Sequence, residues 1–294
     1  MKEQIESLNS IGIENKILFI NGREKGKREY LKSICKIKMR LKKERFDIIH
    51  CHHALSALFL ILSGCCKRNK ILVSFQNDPI NEMGKIIFKI IRKNTSGYIL
   101  KNNSSLIDDK FSYYLPNGVN TLIFIPIKKQ IACRKLNLDP QKRYILFVSS
   151  NRIRKQKRYD IYKETVSILK NRYVKCEELV LINTRRELIP YYFNASEIHL
   201  LTSDYEGSPN SVKEAMACNI PVVSTNVGNV RTLLENVNGN FISETNDANE
   251  LADLVEIALN FKGINSRERI KELELDIHSV AKKLKGIYKN ILIK

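Results

Sequence analysis

The chain has 294 residues, 43% of them hydrophobic and 28% charged, enough for two domains of ordinary size with packed cores. Its longest apolar run, 54–62, is too short to span a bilayer. The charged start at Met1 is not expected to act as a signal peptide, and an odd seven cysteines without a C-x-x-C pair fit reduced thiols in a cytosolic protein. Lysine and arginine outnumber aspartate and glutamate by 26 to 12 over residues 1–140, so +14 of the net +19 lies there, which points to an acidic partner such as nucleic acid, anionic lipid or a phosphorylated acceptor.

In chain order, residues 3–10 read as the end of a helix and 16–20 as a strand. A basic helix follows over 26–46, with Tyr30, Leu31, Ile34, Cys35 and Leu41 as its apolar positions. Strands are expected at 47–50, 70–75 and 97–101, separated by helices at 56–62 and 83–92. The turn 115–120 leads to a connector. The alternation then restarts: strands at 144–149, 178–182, 197–201 and 221–224, and helices at 159–170, 188–194, from Ser208 onward, 251–258 and 267–289. Strands alternating with helices imply parallel α/β sheets. The expected organisation is two similar halves about a cleft: an N-terminal domain at 1–127, a C-terminal domain at 128–276, and a terminal helix, 277–294, that can pack back on the first domain.

The segment 203–230, SDYEGSPNSVKEAMACNIPVVSTNVGNV, carries the most chemistry. Ser208 suits an N-cap and Pro209 the first helical position. The N–H groups of Asn210, Ser211 and Val212 then point out of the helix end, where the dipole favours an anion. Glu214 shares a face with Asn210 and Ser211 and leans back towards that end. A carboxylate behind a phosphate site can accept both hydroxyls of a ribose. Glu206, on the preceding loop, reaches a group beyond the phosphate.

This pattern resembles the E-x7-E motif of retaining glycosyltransferase family 4, whose members have the GT-B fold. EGSPNSVKEAMACNIPVVST is similar to the family's EGxxxxxxEAMAxGxPVVxT, in the subgroup carrying EGSPN. The resemblance implies an α/β GT-B fold of two Rossmann-like domains facing a cleft. It implies that Glu214 binds the nucleotide ribose, that Glu206 lies by the donor sugar, and that the amides of Gly207, Ser208, Asn210, Ser211 and Val212 hold the distal phosphate. Weaker motifs agree in order and spacing: DIIHCH at 47–52, SFQND at 74–78, PNGVN at 116–120 with Phe124 and Pro126, and the stretch 191–203.

A diphosphate leaving group needs basic neighbours as its charge builds. The run NRIRKQKR at 151–158 stands where the family has an Arg/Lys pair, and Lys157 with Arg154 fits it, Arg152 being the alternative to Arg154. The family's glycine here is replaced by Ser149 and Ser150. His52, at a strand's end, can contact donor sugar or acceptor, or simply pack; His50 and His53 are expected to be structural. No D-x-D motif or zinc spacing is present, so no metal or other cofactor is expected beyond the nucleotide-sugar donor as substrate.

The family's first strand and Gly-rich loop are missing from the sequence, so the N-terminal domain is expected to be truncated. Two readings compete with a sugar transferase. One is a donor-binding module without turnover. The other is a nucleic-acid-binding protein, for which only the charge speaks; no basic stripe interleaved with exposed aromatics supports it. The expected partners are therefore a nucleotide-sugar, a glycan or lipid-linked acceptor of bacterial surface polysaccharide or lipopolysaccharide assembly, and an anionic membrane surface, with no nucleic acid. The basic amphipathic stretch 83–92 suggests peripheral docking on the inner face of the plasma membrane.

Overall fold

A computed structural model describes residues 2–22, 26–66, 69–102, 109–150, 154–261 and 263–293. It divides into two compact units. The first comprises Met1–Pro116 with His278–Lys294, and the second Asn117–Ile277. The division therefore falls at Pro116, and the expected boundary at 127/128 lies inside the second unit.

In the first unit, β1 (Ile48–Cys51), β2 (Lys70–Ser74), β3 (Gly97–Leu100) and β4 (Ser112–Tyr114) form a parallel sheet in that order. β2 and β3 are almost wholly buried, as parallel strands covered by helices must be. The helices Ala54–Leu62 and Lys85–Lys93 set Ala57, Leu60, Phe88 and Ile91 against Ile71, Val73, Tyr98 and Leu100. Phe75, Phe88 and Tyr98 meet edge to face, with ring centroids 5.5–6.0 Å apart. The helix Ile277–Ile293 closes this unit: Tyr288 on it meets His50 at 2.8 Å.

Three local expectations need correction here. Residues 16–20 form no strand; Ile17 and Phe19 are 57% and 70% exposed, and β1 is the sheet edge among the described residues. Strand-like composition does not make a strand without a partner for its backbone. The expected helix 83–92 begins two residues later, as Lys85–Lys93, because Gly84 adopts φ +80° and separates it from a short preceding helix, Pro79–Met83. The expected helix 267–289 is two, Ser266–Glu272 and Ile277–Ile293. Glu274 turns left-handed, and Val119 exchanges hydrogen bonds with Leu275 and Ile277 at 2.9 and 3.0 Å.

In the second unit, β5 (Tyr144–Val148), β6 (Glu177–Leu181), β7 (Ile198–Leu201), β8 (Val222–Thr225) and β9 (Phe241–Ser243) form a parallel sheet ordered β6-β5-β7-β8-β9. The chain runs outward to β6 and returns past β5 to β7. Loops leaving β5 and β7 therefore diverge at a topological switch point, where open α/β sheets bind ligands. Ile145, Phe147, Ile198, Leu200 and Val223 form the core with Tyr162 and Val166 from the helix Tyr159–Asn171 and Leu251 and Val255 from the helix Ala248–Asn260. The Tyr162 hydroxyl donates to the Ile145 carbonyl at 2.7 Å, so its ring is buried without a stranded polar atom. All seven cysteines are free. Among the described residues no helix is long and apolar enough to cross a membrane.

Candidate functional site

The loop after β5 and the loop after β7 are stitched together at the switch point. The Thr202 hydroxyl donates to the carbonyls of Lys157 and Arg158, both at 2.9 Å, and the Asp204 N–H donates to the Gln156 carbonyl at 2.9 Å. Thr225, at the end of β8, donates to the Ser203 carbonyl at 2.7 Å. Three strand ends thus share one hydrogen-bonded rim. Gly228, at φ +57°, brings the loop after β8 so close that an added Cβ would lie 2.4 Å from the Gly207 carbonyl oxygen. The Asn229 N–H donates to that same carbonyl at 3.2 Å.

This rim places Lys157 and Glu206 together. Lys157 Nζ donates to Glu206 Oε1 at 2.6 Å, and Ser203 Oγ donates to the same oxygen at 2.9 Å. Both charged side chains are largely buried, so the pair is held in one geometry. Arg154 is exposed at the start of the short 3₁₀ turn Lys155–Lys157, and Arg152 lies outside the described residues.

The helix Asn210–Ala217 begins one residue later than expected. Pro209 is its N-cap, with extended backbone, and Ser208 does not cap it. The Ser208 hydroxyl instead meets Lys213, which is fully buried and whose ammonium donates to Ser208 Oγ at 2.6 Å and to the Ser208 carbonyl at 3.3 Å. A buried ammonium needs such acceptors. The helix still leads with the N–H groups of Asn210, Ser211 and Val212, as an anion site requires. Ser211 Oγ beside them is buried and has no hydrogen-bond partner among the described residues. Glu214 follows on the same helix, nearly buried, and accepts from Arg186 Nη1 at 2.8 Å.

No sequence pattern marks Lys213 or Arg186 for the site. The two consecutive arginines after β6 are a signal, but spacing assigns neither of them a partner. His52 belongs to the first unit, where its ring stacks on His50 at 4.1 Å between centroids. Burial and the nearby Lys101 push the His52 imidazole down to about 4. His50 bridges Tyr288 and Ser74 at 2.8 Å each, a packing role as expected.

Lys101 itself is buried at the end of β3 and donates to the Leu115 carbonyl at 2.9 Å; desolvation lowers its ammonium from 10.5 to about 7. Between those values the unfolded chain keeps a proton that the fold has shed, so stability rises with pH from about 7 to about 10.5. Below about 7 both states are protonated and the folded one bears the full desolvation penalty. Lys101→Met is therefore expected to stabilise the protein at pH 6 by on the order of 1–3 kcal/mol, net of the lost hydrogen bond. The advantage should shrink steadily above about pH 7 and be small by pH 10. Denaturant melts at both pH values test this; an equal effect at both would show that the lysine is not strained by burial.

Known proteins resemble this chain in sequence and in fold. Residues 163–260 match the family described as Glycosyl transferases group 1. That span contains Glu206, Glu214, Arg186 and the helix Asn210–Ala217. Over 90% of this chain and 80% of the relative, the sequence is 22% identical to an Escherichia coli UDP-Gal:alpha-D-GlcNAc-diphosphoundecaprenol alpha-1,3-galactosyltransferase. A probable sucrose-phosphate synthase of Thermosipho melanesiensis is 32% identical, but over 44% of this chain and only 36% of its own length. Among solved structures, sucrose-phosphate synthase from Thermosynechococcus elongatus superposes with a TM-score of 0.79 at 16% identity, covering 99% of this chain and 92% of the other. Anabaena HepE, solved in complex with UDP, gives 0.67 at 13% identity, covering 90% and 82%. The fold is GT-B. The group 1 match supports a glycosyltransferase, and the solved neighbours show the fold.

Proposed function

We propose that this protein is a retaining hexosyltransferase of the family 4 type. It transfers a sugar from a nucleotide-sugar to a glycan or lipid-linked acceptor in bacterial surface polysaccharide assembly. One observation carries the reading: Glu206 and Glu214 bracket the start of the helix Asn210–Ala217 at the switch point, with Lys157 bonded to the first. In this reading the helix N–H groups and Ser211 Oγ take the distal phosphate, Glu214 the ribose diol, Glu206 the donor sugar, and Lys157, assisted by Arg154, the departing diphosphate. The lipid diphosphate named in the Escherichia coli relative's acceptor supports the acceptor class.

Glu214→Ala tests the donor site. A charge-assisted hydrogen bond contributes about 1.5–3 kcal/mol, so the affinity for the best-binding nucleoside diphosphate should fall one to two decades, roughly. Calorimetry with the common nucleoside diphosphates measures it, and unchanged affinity would remove the ribose assignment.

The first unit supplies a surface suited to a lipid-linked acceptor. On the helix Lys85–Lys93, Phe88 and Ile91 enter the core while Ile86 and Ile90 remain 77% and 42% exposed, beside Lys85, Lys89 and Lys93. Exposed isoleucines flanked by lysines suit an anionic bilayer, each basic residue adding about 1 kcal/mol near the surface. Liposome flotation should show binding to anionic vesicles at low salt, lost at high salt and absent with neutral lipid. Recovery in the soluble fraction under every condition would reject docking.

A further inference from the structure

Glu214 has a partner that the E-x7-E pattern does not contain. Arg186 opens the 3₁₀ turn Arg186–Leu188 after β6, and its Nη1 lies 2.8 Å from Glu214 Oε1. Its guanidinium carbon sits 4.9 Å from the centroid of the Phe124 ring, which is fully buried and so cannot yield. One contact places the guanidinium over the ring and the other directs one of its N–H groups at the carboxylate. These constraints come from different parts of the same unit and narrow the orientations open to Arg186.

The Glu214 side chain is only 10% exposed, so little water is present to orient its carboxylate. A fixed donor on one oxygen sets the plane of the group. Each carboxylate oxygen carries two lone pairs, so Oε1 can accept from Arg186 and from a ligand hydroxyl together. Two adjacent hydroxyls of a ribose need both oxygens in one plane; a carboxylate free to rotate would offer that arrangement only part of the time.

We infer that Arg186 is a positioning residue that holds Glu214 for the vicinal diol of a ribonucleoside diphosphate. This rests on the reading of Glu214 given above. Because Arg186 acts through Glu214, its influence is confined to the diol. A lysine at 186 keeps the charge but loses the planar fork and its stacking on Phe124, so it should serve only in part.

The test is calorimetry with ribonucleoside diphosphates and their 2′,3′-dideoxy counterparts, on wild type, Arg186→Ala, Arg186→Lys, Glu214→Ala and the alanine double variant. Arg186→Ala should weaken the best ribonucleotide about tenfold and leave its dideoxy counterpart unchanged. Arg186→Lys should recover part of the loss, and the double variant should bind no worse than Glu214→Ala alone. Arg186 is half-exposed, so thermal melts should show its variants folded. An Arg186→Ala variant with unchanged ribonucleotide affinity, where Glu214→Ala is weakened, overturns this inference and leaves the donor site intact. Equal losses for both ligand forms overturn it too, placing Arg186 against base or phosphate directly. A wild-type chain that binds none of the nucleotides removes the donor reading, and this inference with it.

Discussion

Replacing Lys157 by alanine is expected to lower turnover by about 10²–10³-fold, the loss seen when one donor aimed at developing charge is removed. Negative charge accumulates on a diphosphate leaving group as the glycosidic bond breaks, so an ammonium beside it stabilises the transition state more than the bound donor, which is the role proposed for Lys157. kcat should therefore fall while donor affinity changes little. The Lys157–Glu206 pair is largely buried, and deleting the cation alone strands a carboxylate, which is destabilising in its own right. Ser203 still donates to Glu206 in the variant. The double variant Lys157→Ala/Glu206→Gln removes the stranded charge, so its melting temperature separates folding from chemistry. Turnover should withstand EDTA, and product NMR should show the donor's anomeric configuration retained. Activity abolished by EDTA and restored by manganese, or an inverted product, would contradict the mechanism.

Gly228→Ala is expected to damage both stability and donor binding. At φ +57° an alanine is strained by about 1–2 kcal/mol, and forcing its methyl into a filled space adds roughly 1–3 kcal/mol more. What occupies that space is backbone: the Gly207 carbonyl oxygen at 2.4 Å and the Glu206 carbonyl oxygen at 2.8 Å. Neither can swing aside as a flexible side chain would. The loop carrying Glu206 must shift, and with it the start of the helix Asn210–Ala217. Thermal melting and nucleotide calorimetry on the same sample measure the two effects. A variant as stable as wild type, with unchanged affinity, would show that the loop after β7 tolerates displacement and that its fixed position is not needed for binding.

Much of the site is legible in the amino-acid sequence. Glu206 and Glu214 sit on one loop-and-helix unit, so their separation follows from local geometry alone. Lys157 is legible because the loops after β5 and β7 of a parallel sheet end on the same edge, which the alternation of elements implies. Hydrophobic runs bounded by Gly, Asn and Pro locate the inner strands, since buried parallel strands must be apolar on both faces. Short strands such as 112–114 and 241–243, and the helix 129–136, are not legible in this way because so few residues carry no usable period.

Other features depend on residues far apart in the chain meeting, and no local pattern encodes them. Arg186 reaches Glu214 across 28 positions, and its ring partner Phe124 lies further upstream. Ser208 reads as a helix cap in isolation, yet its hydroxyl meets the buried ammonium of Lys213. Residues 16–20 have the composition of a strand but pair with no strand among the described residues, and a continuous helix pattern after 267 breaks where Val119 claims the backbone of Leu275 and Ile277. Composition and spacing settle what a segment can do alone: its period, its punctuation and the chemistry of neighbouring side chains. Which backbone groups pair, which charges are buried and which donors fix a carboxylate are settled only by packing, because each depends on the free energy of contacts between segments that the chain keeps apart.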